Sequence, residues 1–152
     1  MADLKVTVKE DVILNGTQQG GVYHHTYTGI TDVYKRIFTV PENTEVLLYK
    51  THASQTEGSI LDKDSIKYVR ITNLSNTYSA SVQITNTNSD NQWIAISPNS
   101  HFMLSTHASS SDASTGTVAY GSIVWDDITR VDAAGISGSA QIELFAASRI
   151  NA

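Results

Sequence analysis

The histidines are the residues of this sequence best suited to metal binding or proton transfer. His24 and His25 are adjacent, while His52, His101 and His107 are far from them and from one another. Adjacent residues of a strand point to opposite faces, so the pair does not chelate one metal from a strand. The other three lack the short spacings of a zinc site. We therefore expect exposed or hydrogen-bonded histidines, no metal and no cofactor; only a site assembled by folding stays open.

Acidic and serine residues give no stronger sign of catalysis. The densest acidic positions, 62–64 and 126–127, lack the spaced oxygen ligands and central glycine of a calcium loop. A glycoside hydrolase needs two carboxylates that face each other across a cleft, and no spacing here proposes such a pair. The Gly-Ile-Ser-Gly segment at 135–138 comes near the serine-nucleophile motif but lacks its spacing. The sequence therefore predicts that the protein is not an enzyme, since a hydrolase would rest on fold analogy alone.

The aromatic residues are better candidates, and they favour binding. Seven tyrosines outnumber three phenylalanines, and tyrosine is an amphipathic residue that suits interfaces and sugar-binding platforms. Trp93 and Trp125 are able to stack on sugar rings, but large aromatic residues also dominate burial, so we expect each in the core or at a subunit interface. Tyr68 and Arg70 fall on the polar face of an apolar–polar alternation. If that face is covered, we expect another subunit or a partner to cover it.

Short β-strands must position these residues. Between residues 67 and 104, three segments alternate apolar with polar residues, as half-buried strands do, and polar turns separate them. We interpret this stretch as a β-meander. Leu4, Val6 and Val8 alternate in the same way and predict an N-terminal strand that extends over 4–14, followed by an Asn-Gly turn signal.

Strand-like segments recur along the whole sequence, roughly nine to eleven of them at the spacing of a two-sheet protein. Residues 126–134 are ambiguous, because part of their apolar spacing is helical. We predict an all-β fold, an antiparallel β-sandwich that is jelly-roll-like, with at most one short helix. Residues 1–152 form a single domain in this interpretation. The Ser-rich segment 107–116 is predicted to be a mobile loop.

Composition limits the class of protein further. The chain has 152 residues, a formal net charge of -5, 16% charged residues and no cysteine. The absence of cysteine excludes disulfides and thiolate metal sites, and the acidic balance gives no reason to bind nucleic acid. The sequence begins without the apolar run of a secretory signal, and no stretch is long enough to span a bilayer. We therefore expect a protein made in the cytoplasm that binds neither nucleic acid nor membrane.

Two segments resemble small virion proteins of marine and cyanobacterial tailed phages. They are residues 3–16, DLKVTVKEDVILNG, and residues 67–74, KYVRITNL. Residues 96–102, ISPNSHF, are similar to the strand–turn–strand that follows in those proteins. The resemblance spans most of the chain through structural segments and contains no catalytic signature. It implies a structural component of the particle, such as a capsid decoration or cement protein, and leaves a tail or fibre location open.

The resemblance also implies partners and a location. The protein is expected to be made in the host cytoplasm and to join the virion, where it binds the major capsid protein or another virion protein and stabilises the shell. A homo-oligomer is expected, with a trimer favoured, and the first strand is expected to dock on the sheet edge of a neighbour. The alternative is a carbohydrate-binding module, or a tail or fibre component, that contacts host glycans. The candidate contact residues are Leu4, Val6, Val8, Tyr68, Arg70, Trp93 and Trp125.

Overall fold

The structure, a computed structural model, describes residues 1–51, 66–105, 108–109 and 126–149. These residues form strands and turns without a helix, which confirms the all-β prediction. Most of the predicted loop at 107–116 lies outside the described residues, and so does Trp125. The strands are β1 (Ala2–Lys9), β2 (Ile13–Leu14), β3 (Thr17–Gln18), β4 (Val22–Ile30), β5 (Asp32–Val40), β6 (Val46–Lys50), β7 (Ile66–Asn73), β8 (Ala80–Asn86), β9 (Asn91–Ile96), β10 (His101–Leu104), β11 (Ala108–Ser109), β12 (Asp126–Gly135) and β13 (Ala140–Ser148).

Eight strands build two antiparallel sheets that pack face to face. The first sheet has the order β10-β7-β13-β5, and the second has the order β6-β12-β8-β9. The short β11 pairs with the first two residues of β12. Each sheet turns one face to a shared core and the other to the outside, so the sandwich has two outer faces on which side chains are available for binding.

The pairing of these eight strands is nested. β8 pairs with β9, β7 with β10, β6 with β12, and β5 with β13, as in one long hairpin. The hairpin is rolled up, because β7 also pairs with β13 and β8 also pairs with β12. This is the jelly-roll arrangement of two sheets that the sequence predicts.

The predicted meander between residues 67 and 104 is wrong in its pairing. β7 and β8 follow each other in the chain but lie in different sheets, and β10 returns to β7. Only β8 and β9 form the expected hairpin. Apolar–polar alternation shows that a strand buries one face, but it does not show which sheet the strand joins. The alternation was therefore informative about burial and not about neighbours.

Asn73 fixes the crossing from β7 to β8. Its buried side-chain amide donates hydrogen bonds to the carbonyl oxygens of Tyr78, at 2.9 Å, and Ile96, at 3.1 Å. Its amide oxygen accepts the N–H of Ser75 at 3.0 Å. One side chain thus satisfies three backbone groups where the chain leaves one sheet for the other.

The ambiguous segment at 126–134 belongs to strand β12. Ile128 and Val131 are three residues apart, which is helical spacing, yet both are buried in the core. A register shift against β8 between Ile128 and Arg130 adds one residue to β12. Such a β-bulge places two residues three apart on the same face of a strand, which explains the misleading pattern.

Within the described ranges, the core between the two sheets consists of aliphatic side chains and the buried Tyr49, with Tyr34, Phe38 and Phe102 packed against it. Its fully buried large side chains come from both sheets and are Val40, Ile66, Val69, Ile71, Val82, Val131, Ile142 and Leu144. Among the described residues, no helix is long and apolar enough to cross a membrane.

Residues 1–30 form a β-ribbon, called the arm below, that is separate from the two sheets. β1 pairs with β4 along its length, and Ile30 is buried at the base of the ribbon. A register shift near the base adds a residue to β4, and Gly29 has a positive φ of 73° there. A β-bulge bends its strand, and glycine adopts this backbone conformation without steric cost. The bulge sets the angle at which the arm leaves the sandwich.

A small hairpin of β2 and β3 closes the far end of the arm; residues 10–21 are called the tip. The hairpin turns at Asn15 and Gly16, whose φ angles are 52° and 76°. Two positive φ values in a two-residue turn are typical of type I′, which Asn-Gly favours, so the predicted turn is confirmed. β1 ends at Lys9 and β2 begins at Ile13, so the predicted strand over 4–14 is divided into two pieces.

Candidate binding surfaces

A small apolar cluster joins the arm to the outer face of the first sheet. Tyr68 and Ala147 lie opposite each other on β7 and β13, and both are buried together with Ile30. Leu4 and Val6 of β1 pack against this cluster. The face for which the sequence suggests a subunit or partner as cover is therefore covered partly by the chain's own arm.

A row of aromatic rings runs from the sheet into the arm. The ring centroids of Phe145 and Tyr68 are 6.1 Å apart, and those of Tyr68 and Tyr27 are 5.8 Å apart. His25 follows at 4.4 Å from Tyr27, and Tyr23 at 6.4 Å from His25. Tyr27 is half-buried, whereas His25 and Tyr23 are exposed. The arm is held at its base by this row and becomes more exposed toward its tip.

A cleft of about 470 Å³ lies between the arm and the outer face of the first sheet. Leu4, Val6 and Val8 of β1 line one side, and Tyr68 and Arg70 of β7 line the other. The structure therefore brings together five of the predicted contact residues. His101 and Met103 of β10 continue the lining, and the sequence pattern did not single them out for this surface.

The charges that line the cleft are basic. Lys5 and Arg70 line it, and no carboxylate of the described residues does. Arg70 donates a hydrogen bond of 2.6 Å to Glu143, its diagonal neighbour on β13, and its guanidinium lies 5.9 Å from the ring centre of Phe145. The ion pair and the ring hold Arg70 in place. Burial raises the pKa of the Tyr68 phenol, and the nearby Arg70 lowers it in part.

The tip of the arm carries apolar side chains in an ordered backbone. Ile13 is 71% exposed and Leu14 is 61% exposed, and Val12 is also exposed. Gln18 stabilises this hairpin because its amide oxygen accepts the N–H groups of Val12 and Gly20, each at 3.0 Å. The tip is thus hydrogen-bonded internally while it presents apolar surface to solvent. The sequence suggested a continuing strand here and gave no sign of this exposure.

Trp93 lies on the opposite side of the molecule, on the outer face of the second sheet. Its side chain is 63% exposed, which excludes a core position, and the other expected position, a subunit interface, stays a prediction. Trp93 pairs in register with Gln83, and the core-facing residues of its strand are Ile94 and Ile96. The alternation was visible in the sequence, and it shows that Trp93 points away from the core.

A shallow groove of about 260 Å³ lies beside Trp93. Gln83, Glu45 and Asp132 contribute polar groups to it. Asp132 is buried and accepts two hydrogen bonds from Arg130, of 2.6 and 2.8 Å. Arg130 also donates to Glu45 at 3.0 Å, and its hydrogen bonds to Asp132 raise the pKa of the guanidinium. The polar end of this groove is therefore held rigidly.

The structure forms no metal constellation in the part of the chain that it describes. No three metal-ligating side chains come together there. His24 and His25 point to opposite faces of the arm, as predicted, since they pair with Thr7 and Val6. His24 lies 3.1 Å from the Thr7 hydroxyl. His52 and His107 lie outside the described residues.

Comparisons of the chain with models of known protein families, with curated proteins and with solved structures found no match. The resemblance to phage virion proteins therefore stays a prediction from the residues. The cleft beneath the arm and the Trp93 groove are two concave surfaces of the described residues that are available for binding.

Proposed function

We propose that the chain is a non-enzymatic structural protein of a tailed-phage particle, and that the arm makes its main contact. The observation that carries this proposal is the arm itself, an ordered ribbon whose tip exposes Val12, Ile13 and Leu14. Burial of apolar surface contributes about 25 cal/mol per Å². The apolar side chains of the tip are in water in the free chain, so the free energy of burying them becomes available only when a partner covers them.

Two further features support an assembly role. Grouped exposed apolar residues mark interaction sites more often than isolated ones do. Jelly rolls occur among viral capsid domains and also among lectins, so the fold is compatible with both an assembly role and a sugar-binding role but selects neither. The similarity of residues 3–16 and 67–74 to virion proteins favours the assembly role.

The proposed partner is the major capsid protein or another virion protein, and the proposed location is the particle surface. A protein that binds only the assembled shell stabilises it by mass action, to an extent set by its concentration relative to its dissociation constant. Stabilisation of the shell by binding is what a decoration or cement protein does, and it requires no catalytic activity. A tail or fibre location differs from it only in copy number.

Quantitative mass spectrometry of purified particles tests this proposal. The particles are those of the phage whose genome encodes the chain. A copy number comparable with that of the major capsid protein supports a decoration role, whereas a few copies per particle support the tail. Absence of the chain from particles that contain all other structural proteins overturns the proposal.

Glycan binding at Trp93 is a second candidate function, favoured by the exposed indole beside a polar groove. Sugar sites combine an aromatic platform with a few fixed hydrogen-bonding groups, and Gln83 and Glu45 supply such groups here. A glycan array probed with the wild type and with Trp93→Ala tests it. Tyr23→Ala is a matched control, because Tyr23 is also 63% exposed but lies on the arm. Binding lost only in Trp93→Ala supports the site, and binding lost in neither variant contradicts it.

A further inference from the structure

We propose that the cleft beneath the arm receives the tip of a second copy of this chain, so that copies assemble head to tail. The inference rests on the proposed function, because that function takes the arm as the element that makes the main contact. The inference adds that the first partner of the tip is another copy of the chain. The cleft and the tip are different surfaces of one molecule. The interface is therefore heterologous, and each copy contributes a tip to one neighbour and a cleft to another.

The apolar surfaces of tip and cleft match in character. Ile13 and Leu14 project from a narrow two-stranded hairpin. The cleft offers Val6 and Val8 on one side and Met103, 37% exposed, on the other. Insertion of the hairpin removes both sets of side chains from water, which is the main source of stabilisation in protein association.

The charges of the two surfaces are opposite. The tip contains Glu10 and Asp11 and no basic residue between positions 10 and 21, and Lys9 just before it pairs with Asp11 at 3.5 Å. In the part of the chain that the structure describes, Lys5 and Arg70 line the cleft and no carboxylate does. Glu143 pairs with Arg70 at 2.6 Å and offsets part of its charge, so the basic character of the cleft comes mainly from Lys5. Opposite potentials orient two proteins as they approach each other and exclude other orientations.

The tip of one copy does not fill its own cleft. Residues 4–8 of β1 line the cleft, and the ribbon continues in register beyond them, with Lys9 opposite Val22. The N–H of Glu10 then donates to the carbonyl oxygen of Gly21 at 2.8 Å. A paired strand advances about 3.4 Å per residue, so the tip lies past the end of the cleft. The tip that we propose for the cleft therefore comes from a second copy of the chain.

Sedimentation equilibrium of the full chain and of two variants tests the proposal. Ile13→Asp places a charge on the exposed tip, and Met103→Asp places one in the cleft. The wild type is expected to be an oligomer, and each variant is expected to shift to the mass of the 16.5 kDa monomer. Leu47→Asp is the matched control, because Leu47 is 42% exposed on β6 of the second sheet, away from both surfaces, and it is expected to keep the wild-type mass.

Mixing the two variants separates this interface from any other. The Ile13→Asp protein keeps an intact cleft and the Met103→Asp protein keeps an intact tip, so an equal mixture is expected to form a dimer that does not grow further. His101→Asp, at an exposed position of the cleft lining, replaces Met103→Asp if circular dichroism shows that the latter is unfolded. A monomeric wild type, variants that remain oligomeric, or a mixture without the mixed dimer overturns the proposal.

Failure of this inference is distinguishable from failure of the proposed function. A chain that is monomeric in solution and abundant in purified particles contradicts self-docking and leaves the particle role intact. A chain that forms the head-to-tail oligomer but is absent from particles supports self-docking and contradicts the particle role.

Discussion

Tyr27 of the arm and Tyr68 of the first sheet lie with ring centroids 5.8 Å apart and ring planes inclined by 44°. Tyr27 comes from a strand outside both sheets, whereas Tyr68 is fixed on β7 with only 6% of its surface exposed. The contact joins a two-stranded ribbon, which has little stability alone, to a well-packed sandwich. The direction in which the tip points depends on it.

A double-mutant cycle on Tyr27→Leu and Tyr68→Leu measures this contact. Aromatic pairs contribute about 0.5–1.5 kcal/mol beyond the area that they bury, and we expect a coupling free energy in that range from urea unfolding. A cycle on Tyr27→Leu and Tyr49→Leu is the control, because Tyr49 lies in the main core between the sheets. A coupling near zero for Tyr27 with Tyr68 would show that the arm is not held there.

The Arg130–Asp132 pair is expected to stabilise the outer face of the second sheet. Asp132 is 1% exposed and depends on Arg130 for two hydrogen bonds. Arg130→Ala removes both donors from a buried carboxylate, which costs about 1–3 kcal/mol in the free energy of unfolding. Glu45→Ala is the control: the Glu45 side chain is 57% exposed, so its loss costs within about 0.5 kcal/mol. Equal effects of the two substitutions would contradict this account.

Asn73→Ala is expected to loosen the crossing between the sheets. The substitution leaves the buried carbonyl of Ile96 and two neighbouring backbone groups without their side-chain partner, which costs on the order of 3 kcal/mol. Denaturant unfolding measures the loss. Asn76→Ala, in the same connection but exposed, is expected to change stability by less than about 0.5 kcal/mol. A tolerated Asn73→Ala would show that other groups fix the crossing.

Stability is expected to fall in alkaline solution because of Tyr49. Burial raises the pKa of its phenol well above the ordinary value of 10.0. Above pH 10 the unfolded chain loses this proton and the folded chain keeps it. The free energy of unfolding then decreases by up to about 1.4 kcal/mol per pH unit, and below pH 10 the contribution is fully present. Tyr49→Phe is expected to reduce this slope, whereas Tyr23→Phe, at an exposed position, is expected to keep it.

The sequence predicted which faces of the strands are buried better than it predicted which strands pair with each other. Alternation correctly assigned the inward faces of β7, β8 and β9, because burial of one face follows from the two-residue period of a strand. The same alternation led to the prediction of a meander, whereas the chain crosses from one sheet to the other between β7 and β8. The sheet that a strand joins depends on pairing between residues distant in the chain, which alternation does not report. The Asn-Gly turn at the tip was predictable because it depends on two residues alone.

The candidate site was predictable in part for the same reasons. Leu4, Val6 and Val8 were identified as one face of a strand, and Tyr68 and Arg70 as one face of another. Their meeting in a single cleft depends on the bulge at Gly29 and on the pairing of β1 with β4. The exposure of Ile13 and Leu14 was not predictable, because an apolar run of this length is equally typical of a buried strand.

The central claim is that the tip is the assembling element, and co-sedimentation of a tip-less variant with purified particles tests it most directly. The hydrogen bond from Glu10 to Gly21 closes the ribbon just before the tip, so residues 11–20 can be replaced by Asn-Gly, which forms a two-residue hairpin turn. The replacement keeps β1 paired with β4, whereas deletion of residues 1–9 would uncover Tyr68. We expect the full chain and Trp93→Ala to sediment with particles and the tip-less variant to remain in the supernatant. Undiminished sedimentation of a folded tip-less variant would contradict the account.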